Sequence, residues 1–346
     1  MRLRRLSSAR RGKPETVRTL GARSRCGPES PCVFRPTVNK ACASGLKALV
    51  LAYHEIVLGN VDVVLAGGVE AMSRVPYFVE GARWGACLGH QQLVDGMYQD
   101  GFLCPLSKLV MGETAEVLAE QYHITREEQD KYALSSQQRA RRAIESGRFA
   151  DEIVPVTVND KKGDPQLTAD EHPRFDTTAA SLAKLPPVFA KSGTVTAGNA
   201  SGITDGAAAL ILVSEDRMKR ASTRPLARIV DYSTAGVDPR VMGIGPVPAV
   251  EKLSKKTGRR LQDFDIIELN EAFAAQVLAC DRELRFDRER LNVNGGAIAL
   301  GHPIGCTGAR ITVTLVHEMV KRQARRGLVT LCVSGGLGMA LELEAA

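Results

Sequence analysis

Three side chains in this sequence can do covalent or acid–base chemistry, and each sits among glycines and other small residues. Cys42 lies in Val38-Asn39-Lys40-Ala41-Cys42-Ala43-Ser44-Gly45, at the entry to a run with helical spacing. A thiol with its reference pKa near 8.5 is only about 3% thiolate at pH 7. A helix dipole contributes roughly 0.3–1 kcal/mol, less than one pKa unit, so a working nucleophile needs a base as well. His302 offers one, in Asn292-Val293-Asn294-Gly295-Gly296-Ala297-Ile298-Ala299-Leu300-Gly301-His302-Pro303-Ile304-Gly305. A lone histidine is more often structural, but this one stands on a Gly-rich loop, where backbone and ring can approach a ligand closely.

Cys332 ends a predicted buried strand in Leu331-Cys332-Val333-Ser334-Gly335-Gly336-Leu337-Gly338. Strand ends of open α/β sheets bind ligands, although a buried inert thiol fits the local sequence equally well. Asn270, in Asn270-Glu271-Ala272-Phe273, follows the predicted strand Ile266–Leu269. It either holds a water or an oxyanion or caps the next helix.

The elements that must position these residues repeat. Leu46, Leu49, Val50, Tyr53, Ile56 and Val57 recur at helical spacing up to Gly59-Asn60, and Val61 to Ala66 reads as a buried strand closed by Gly67-Gly68. Near the C-terminus Gly308 opens a helix, Gly327 marks a turn, and Leu328 to Val333 is a strand ending in Gly335-Gly336. Gly45 precedes His54-Glu55-Ile56 by nine residues, and Gly308 precedes His317-Glu318-Met319 by nine. That landmark points to an internal duplication of an α/β half. Between the halves, Gly112–Ser146 is strongly helical, with a capping box opened by Thr125, and Asn159–Thr196 is rich in loop residues. We expect a basic leader over 1–37, an N-terminal half over 38–71 and 202–222, a loop domain over 72–201, and a C-terminal half over 223–346.

Composition narrows the function classes. With 44% hydrophobic and 25% charged residues the chain is globular, and no stretch approaches the ~20 apolar residues of a membrane span. The net charge of +7 is misleading, because residues 1–37 carry +8 and the rest carry −1. No basic face belongs to the folded body, which argues against nucleic-acid binding. The leader shows no helical or strand period, so we expect it to be a transit peptide, a disordered arm, or a replacement for a normal opening segment. The eight cysteines lack CxxC spacing, and reduced thiols in the cytoplasm are the default. Cys87, Cys104, Cys280 and Cys306 read as inert, while Cys26 and Cys32 lie in the leader.

In order and spacing, the Cys42 motif, the NEAF tetrapeptide, the run GGAIALGHPIGCTGAR and the closing Cys-Val-Ser-Gly-Gly resemble the thiolase family over residues 38–346. The resemblance implies two duplicated α/β halves in five layers, αβαβα, with an inserted loop domain. It implies an acyltransferase that moves acyl groups between coenzyme A thioesters, by thiolysis of 3-ketoacyl-CoA or by Claisen condensation of two acetyl-CoA. Cys42 would become acylated, His302 would activate it, and Cys332 would exchange the proton at the substrate carbon. His302 with a water on Asn270 would form one oxyanion hole, and the backbone N–H groups of Cys42 and Ser334 the other. Ping-pong kinetics follow from the covalent intermediate. Arg174 would meet the nucleotide end of coenzyme A, Ser201 the pantetheine arm, and Met111 the acyl end. No permanent cofactor or metal is implied. Coenzyme A is a substrate, and the expected assembly is a homodimer or homotetramer.

Three departures from the family pattern stand out. The family has more chain ahead of its nucleophile than the 41 residues here, Ser334 replaces a common Gly, and Val110 stands where short-chain biosynthetic members usually carry His. A ketosynthase-like condensing enzyme would have His in place of Cys332. A catalytically impaired acyl-CoA-binding relative, disabled by its altered start, is the rival from another class.

Overall fold

The computed structural model describes residues 5–9 (backbone alone), 36–158, 166–221 and 224–346. In chain order the strands are β1 (Arg5–Ala9), β2 (Thr37–Val38), β3 (Val63–Glu70), β4 (Tyr77–Val79), β5 (Leu93–Asp95), β6 (Val156–Thr157), β7 (Gln166–Leu167), β8 (Gly206–Val213), β9 (Ala227–Gly236), β10 (Ile266–Leu269), β11 (Arg326–Val333) and β12 (Leu337–Ala345). The α-helices are α1 (Ser44–Val57), α2 (Met111–Gln121), α3 (Arg126–Glu145), α4 (Ala179–Ala183), α5 (Glu215–Ala221), α6 (Pro246–Thr257), α7 (Ala274–Leu284), α8 (Ala297–Leu300) and α9 (Ile304–Arg322).

Two four-stranded sheets carry the fold. The first has the order β2-β1-β3-β8 and the second β10-β11-β12-β9. In each, parallel pairing gives way to an antiparallel neighbour: β1 runs parallel to β2 and β3, with β8 antiparallel to β3. Likewise β10 is parallel to β11, while β12 is antiparallel to β11 and β9. Helices α1 and α9 pack on each other between the sheets, and α6 covers the far side of the second sheet. Strands β10, at the edge of the second sheet, and β11 beside it are buried on both faces, as their apolar runs require.

The apolar face of α1 (Leu46, Leu49 and Val50) is fully buried, and the helix stops where Gly59 turns left-handed at φ 68°. Thr125 begins α3 with the expected reciprocal cap: Glu128 N–H donates to Thr125 Oγ1 at 3.1 Å, and Thr125 N–H donates to Glu128 Oε2 at 2.8 Å.

The glycines explain how the halves meet. A Cβ on Gly45 would lie 2.5 Å from Ala309 N, and one on Gly308 would overlap Leu46 N. The landmark glycines of the two repeats thus face each other where α1 crosses α9. Bare Cα atoms there let two backbones touch.

Several expectations are corrected. Gly308 does not open its helix; α9 starts at Ile304, one turn earlier, and Gly308 serves the crossing. Gly67-Gly68 does not close a strand, because β3 runs through both. A Cβ on Gly67 would strike Ala208 O and one on Gly68 would strike Gly305 O, so they mark close backbone approach rather than a turn. The basic leader has no strand period in its sequence, yet Arg5–Ala9 forms β1, a central strand paired from Arg5↔Val64 to Ala9↔Gly68. An unpaired flank on β3 would orphan its backbone N–H and C=O groups, and that pairing demand overrides composition. Thr37, the last residue of the leader, forms the edge strand β2 with Val38. Cys26 and Cys32 lie outside the described residues.

Candidate active site

Cys42 occupies a single 3-10 turn, Ala41–Ala43, between β2 and the start of α1. The turn is clasped by three hydrogen bonds. Asn39 Oδ1 accepts from Ala41 N–H at 3.0 Å, Ser44 Oγ accepts from Lys40 N–H at 2.8 Å, and Ser44 Oγ–H donates to Ala41 O at 2.7 Å. Ala41 is thereby held at φ 47°, a left-handed conformation that costs an L-residue about 1–2 kcal/mol. The bend throws Cys42 to the front of α1, where the dipole favours negative charge on its sulfur. Cys42 is buried, at 6% exposure. Sequence reading missed the strain, because an alanine carries no mark of φ.

His302 sits at the mirror position, just before α9. Glu70, at the end of β3, reaches across and accepts from Gly305 N–H at 3.0 Å, which places a carboxylate on the N-terminus of α9. His302 N–H donates to Gly202 O at 3.2 Å. Its ring Nδ1 lies 2.6 Å from Thr307 Oγ1, and Nε2 lies 3.5 Å from Asn270 Nδ2. At 7% exposure the imidazole is shielded from bulk water. Thr307 was not singled out in the sequence; the spacing His302-x4-Thr307 across a helix start is the signal that could have found it.

Asn270 leaves β10 with its N–H donating to Thr330 O at 3.0 Å. It does not cap the following helix, which begins at Ala274 with no side-chain cap. Its Oδ1 is buried without a protein partner, the state expected of an amide that also holds a water. Next to it Glu271 ties the neighbouring loop down, accepting from Tyr132 Oη at 2.8 Å, Ser136 Oγ at 2.7 Å, Asn292 Nδ2 at 2.9 Å and Ile298 N at 3.2 Å. The NEAF motif therefore pairs a residue facing the site with one that anchors the Gly-rich loop carrying His302.

Cys332 ends the fully buried face of β11 at 0% exposure. Burial pushes its thiol well above the ordinary range, and the charges of Cys42 and Cys280 push the same way. The 3-10 turn bearing Cys42 packs against both α9 and β11. After Cys332 the chain turns on Gly335 (φ 88°) and Gly336 (φ 83°), whereas Ser334 keeps an ordinary φ. A side chain at 334 is therefore compatible with a backbone N–H directed into the site.

Other thiols differ in setting. Burial pushes Cys280 and Cys306 up to about 12, as for inert core thiols. Cys104 is also buried, which works to raise its pKa, but hydrogen bonds from Ser107, Leu106 and Gly335 outweigh this and lower it. Cys87 is exposed.

Among the substrate-binding candidates, Ser201 and Met111 pack against elements that carry site residues. Ser201 N–H donates to Ala272 O at 3.0 Å, and Met111 shares a core cluster with Cys332 and Phe273. Arg174 does not; its side chain is exposed on the loop region, although its N–H donates to Gln137 Oε1 at 3.0 Å. No helix among the described residues is long and apolar enough to cross a membrane.

The family profile "Thiolase, N-terminal domain" matches residues 27–216, and "Thiolase, C-terminal domain" matches residues 223–345. An acetyl-CoA acetyltransferase of Pseudomonas aeruginosa is 55% identical over 308 residues, covering 89% of this chain and 78% of the relative. A probable acetyl-CoA acyltransferase of Staphylococcus aureus is 52% identical over 314 residues, covering 90% of this chain and 79% of that protein. The crystal structure of the Bacillus anthracis acetyl-CoA acetyltransferase superposes with a TM-score of 0.94 at 48% identity, covering 100% of this chain and 88% of that one. Human mitochondrial 3-ketoacyl-CoA thiolase in complex with CoA superposes with a TM-score of 0.91 at 44% identity, covering 100% and 87%.

Proposed function

The chain belongs to the thiolase family, an acyltransferase class with the duplicated α/β fold, and we propose that Cys42, His302, Asn270 and Cys332 carry its reaction on coenzyme A thioesters. In the first half-reaction the Cys42 sulfur attacks the thioester carbonyl carbon of acetyl-CoA. His302 Nε2 takes the thiol proton and returns it to the departing coenzyme A sulfur, leaving S-acetyl-Cys42. In the second, Cys332, its own thiol proton having passed to His302 Nε2, takes a proton as thiolate from the methyl carbon of another acetyl-CoA. That carbon attacks the acetyl group, Cys42 leaves as thiolate with acetoacetyl-CoA as product, and the proton on His302 returns to the Cys42 sulfur. Thiolysis of a 3-ketoacyl-CoA is the same path reversed, and metabolite levels set the direction.

Negative charge develops on two different oxygens. The His302 ring with a water held on Asn270 would stabilise one, and the N–H groups of Cys42 and Ser334 the other; aimed donors of this kind are worth about 3–4 kcal/mol each. Ser201, Met111 and Arg174 are proposed to contact the pantetheine arm, the acyl end and the nucleotide end of coenzyme A. Assembly as a homodimer or homotetramer belongs to the same proposal, and a folded monomer on gel filtration argues against it. A cytoplasmic location, which keeps the two thiols reduced, is part of the proposal as well.

The observation that carries this reading is that the turn bearing Cys42 packs against both α9, the helix that His302 leads into, and β11, the strand of Cys332, with Asn270 Nδ2 3.5 Å from His302 Nε2. Incubation with acetyl-CoA followed by peptide mass mapping tests it. An acetyl group on Cys42 alone is expected. A folded protein with no adduct there, or with label spread over several cysteines, overturns it.

A further inference from the structure

We propose that Thr307 is a positioning residue: its hydroxyl oxygen holds the Nδ1 proton of His302 and so keeps Nε2 as the basic nitrogen. The proposal rests on the reading of His302 as the base. A histidine that is to take a proton on Nε2 must begin with a lone pair there, so its one hydrogen is on Nδ1. After the transfer Nδ1 still carries a hydrogen. In both states, then, Nδ1 needs an acceptor.

The atom that meets this need is Thr307 Oγ1, 2.6 Å from Nδ1. A hydroxyl can accept from Nδ1 only if its own hydrogen goes elsewhere, and that place exists: Pro303 O lies 2.9 Å away, one helical turn back. Threonine on a helix commonly makes this bond to the carbonyl four residues earlier. The chain Nδ1–H to Oγ1, then Oγ1–H to Pro303 O, has a single direction. At the other end of the ring Asn270 presents its amide nitrogen to Nε2, which suits a lone pair there. Thr307 is 0% exposed, so water cannot substitute for its hydroxyl.

The orienting group is thus neutral, where hydrolytic triads use a carboxylate. A hydroxyl sets the tautomer while stabilising the imidazolium less than a carboxylate would. Both half-reactions need that proton back, so a base that releases it readily suits the chemistry.

Thr307→Val keeps the shape and removes both hydrogen bonds; Thr307→Ser keeps them. The single-turnover acetylation rate of Cys42 is expected to fall by about 10²-fold in Thr307→Val, with little change in KM, and to return most of the way in Thr307→Ser. Nitrogen NMR of the wild-type protein, with His302 assigned against His302→Asn, should show the Nδ1–H tautomer. Acetylation at the wild-type rate in Thr307→Val while His302→Asn is inactive overturns the role of Thr307 and leaves the base standing. Normal acetylation in His302→Asn overturns the underlying reading instead. Should Thr307→Val not fold, the NMR decides alone, and an Nε2–H tautomer sinks the proposal.

Discussion

The turn of Cys42 packs against the strand of Cys332, yet the two buried thiols are set up for different tasks. Cys42 stands at the front of α1 on a strained turn, where the dipole favours its thiolate. Cys332 is at the end of a fully buried strand, and burial first, then the charge of Cys42, keeps it protonated at neutral pH. That split assigns one sulfur to nucleophilic attack and the other to proton exchange. Cys332→Ala should therefore separate the half-reactions. Acetylation of Cys42 by acetyl-CoA should persist on the mass map, while steady-state condensation and thiolysis fall by about 10²–10⁴-fold. Loss of both together would mean that Cys332 acts in the first step as well.

At the scale of elements, the site depends on two helices held closer than side chains would allow. Cys42 leads into α1 and His302 into α9, so their separation follows from the crossing at Gly45 and Gly308. In an isolated helix Gly→Ala gains about 1 kcal/mol. Here Gly45→Ala should do the reverse, because its Cβ would meet Ala309 N at 2.5 Å and backbone cannot step aside as a side chain can. Overpacking of this kind costs about 1–3 kcal/mol. A lowered denaturation midpoint, together with slower acetylation of Cys42 under conditions where the variant is still folded, is the expected result. An unchanged or raised midpoint would show that the helices separate at no cost.

For the whole molecule, the halves enclose ionisable groups far from solvent, and these make stability depend on pH. Glu268, on β10 two residues before Asn270, is 1% exposed. Burial pushes its carboxyl up to about 8; the nearby Arg310 charge opposes this but does not match it. The folded protein thus holds this proton more tightly than the unfolded chain does. Its contribution to stability is full below the ordinary value of 4.5 and is lost as pH rises through about 8. Glu268→Gln removes the titration. Relative to the wild type it should gain roughly 3 kcal/mol between pH 4.5 and pH 7, an upper figure because neighbours relax. Urea denaturation at the two pH values measures it, and parallel curves for the two proteins would refute it.

Local chemistry and spacing were enough to find Cys42, His302, Cys332 and Asn270, the helix capped by Thr125, and the repeat marked by Gly45 and Gly308. Those signals are written in residue type and period, and they do not depend on what lies across the fold. The tertiary structure alone decided the rest. The left-handed turn at Ala41, the partnership of Thr307 with His302, and the anchoring of a loop by Glu271 are made by contacts that no period announces. Gly67 and Gly68 read locally as a strand end and proved to be points of backbone contact, since a glycine looks the same whether it frees φ or vacates a Cβ. Residues 5–9 read as part of a basic arm and form a central strand. Strand pairing is satisfied by whatever backbone lies beside β3, and backbone hydrogen bonds are the part of a chain that its side chains do not spell out.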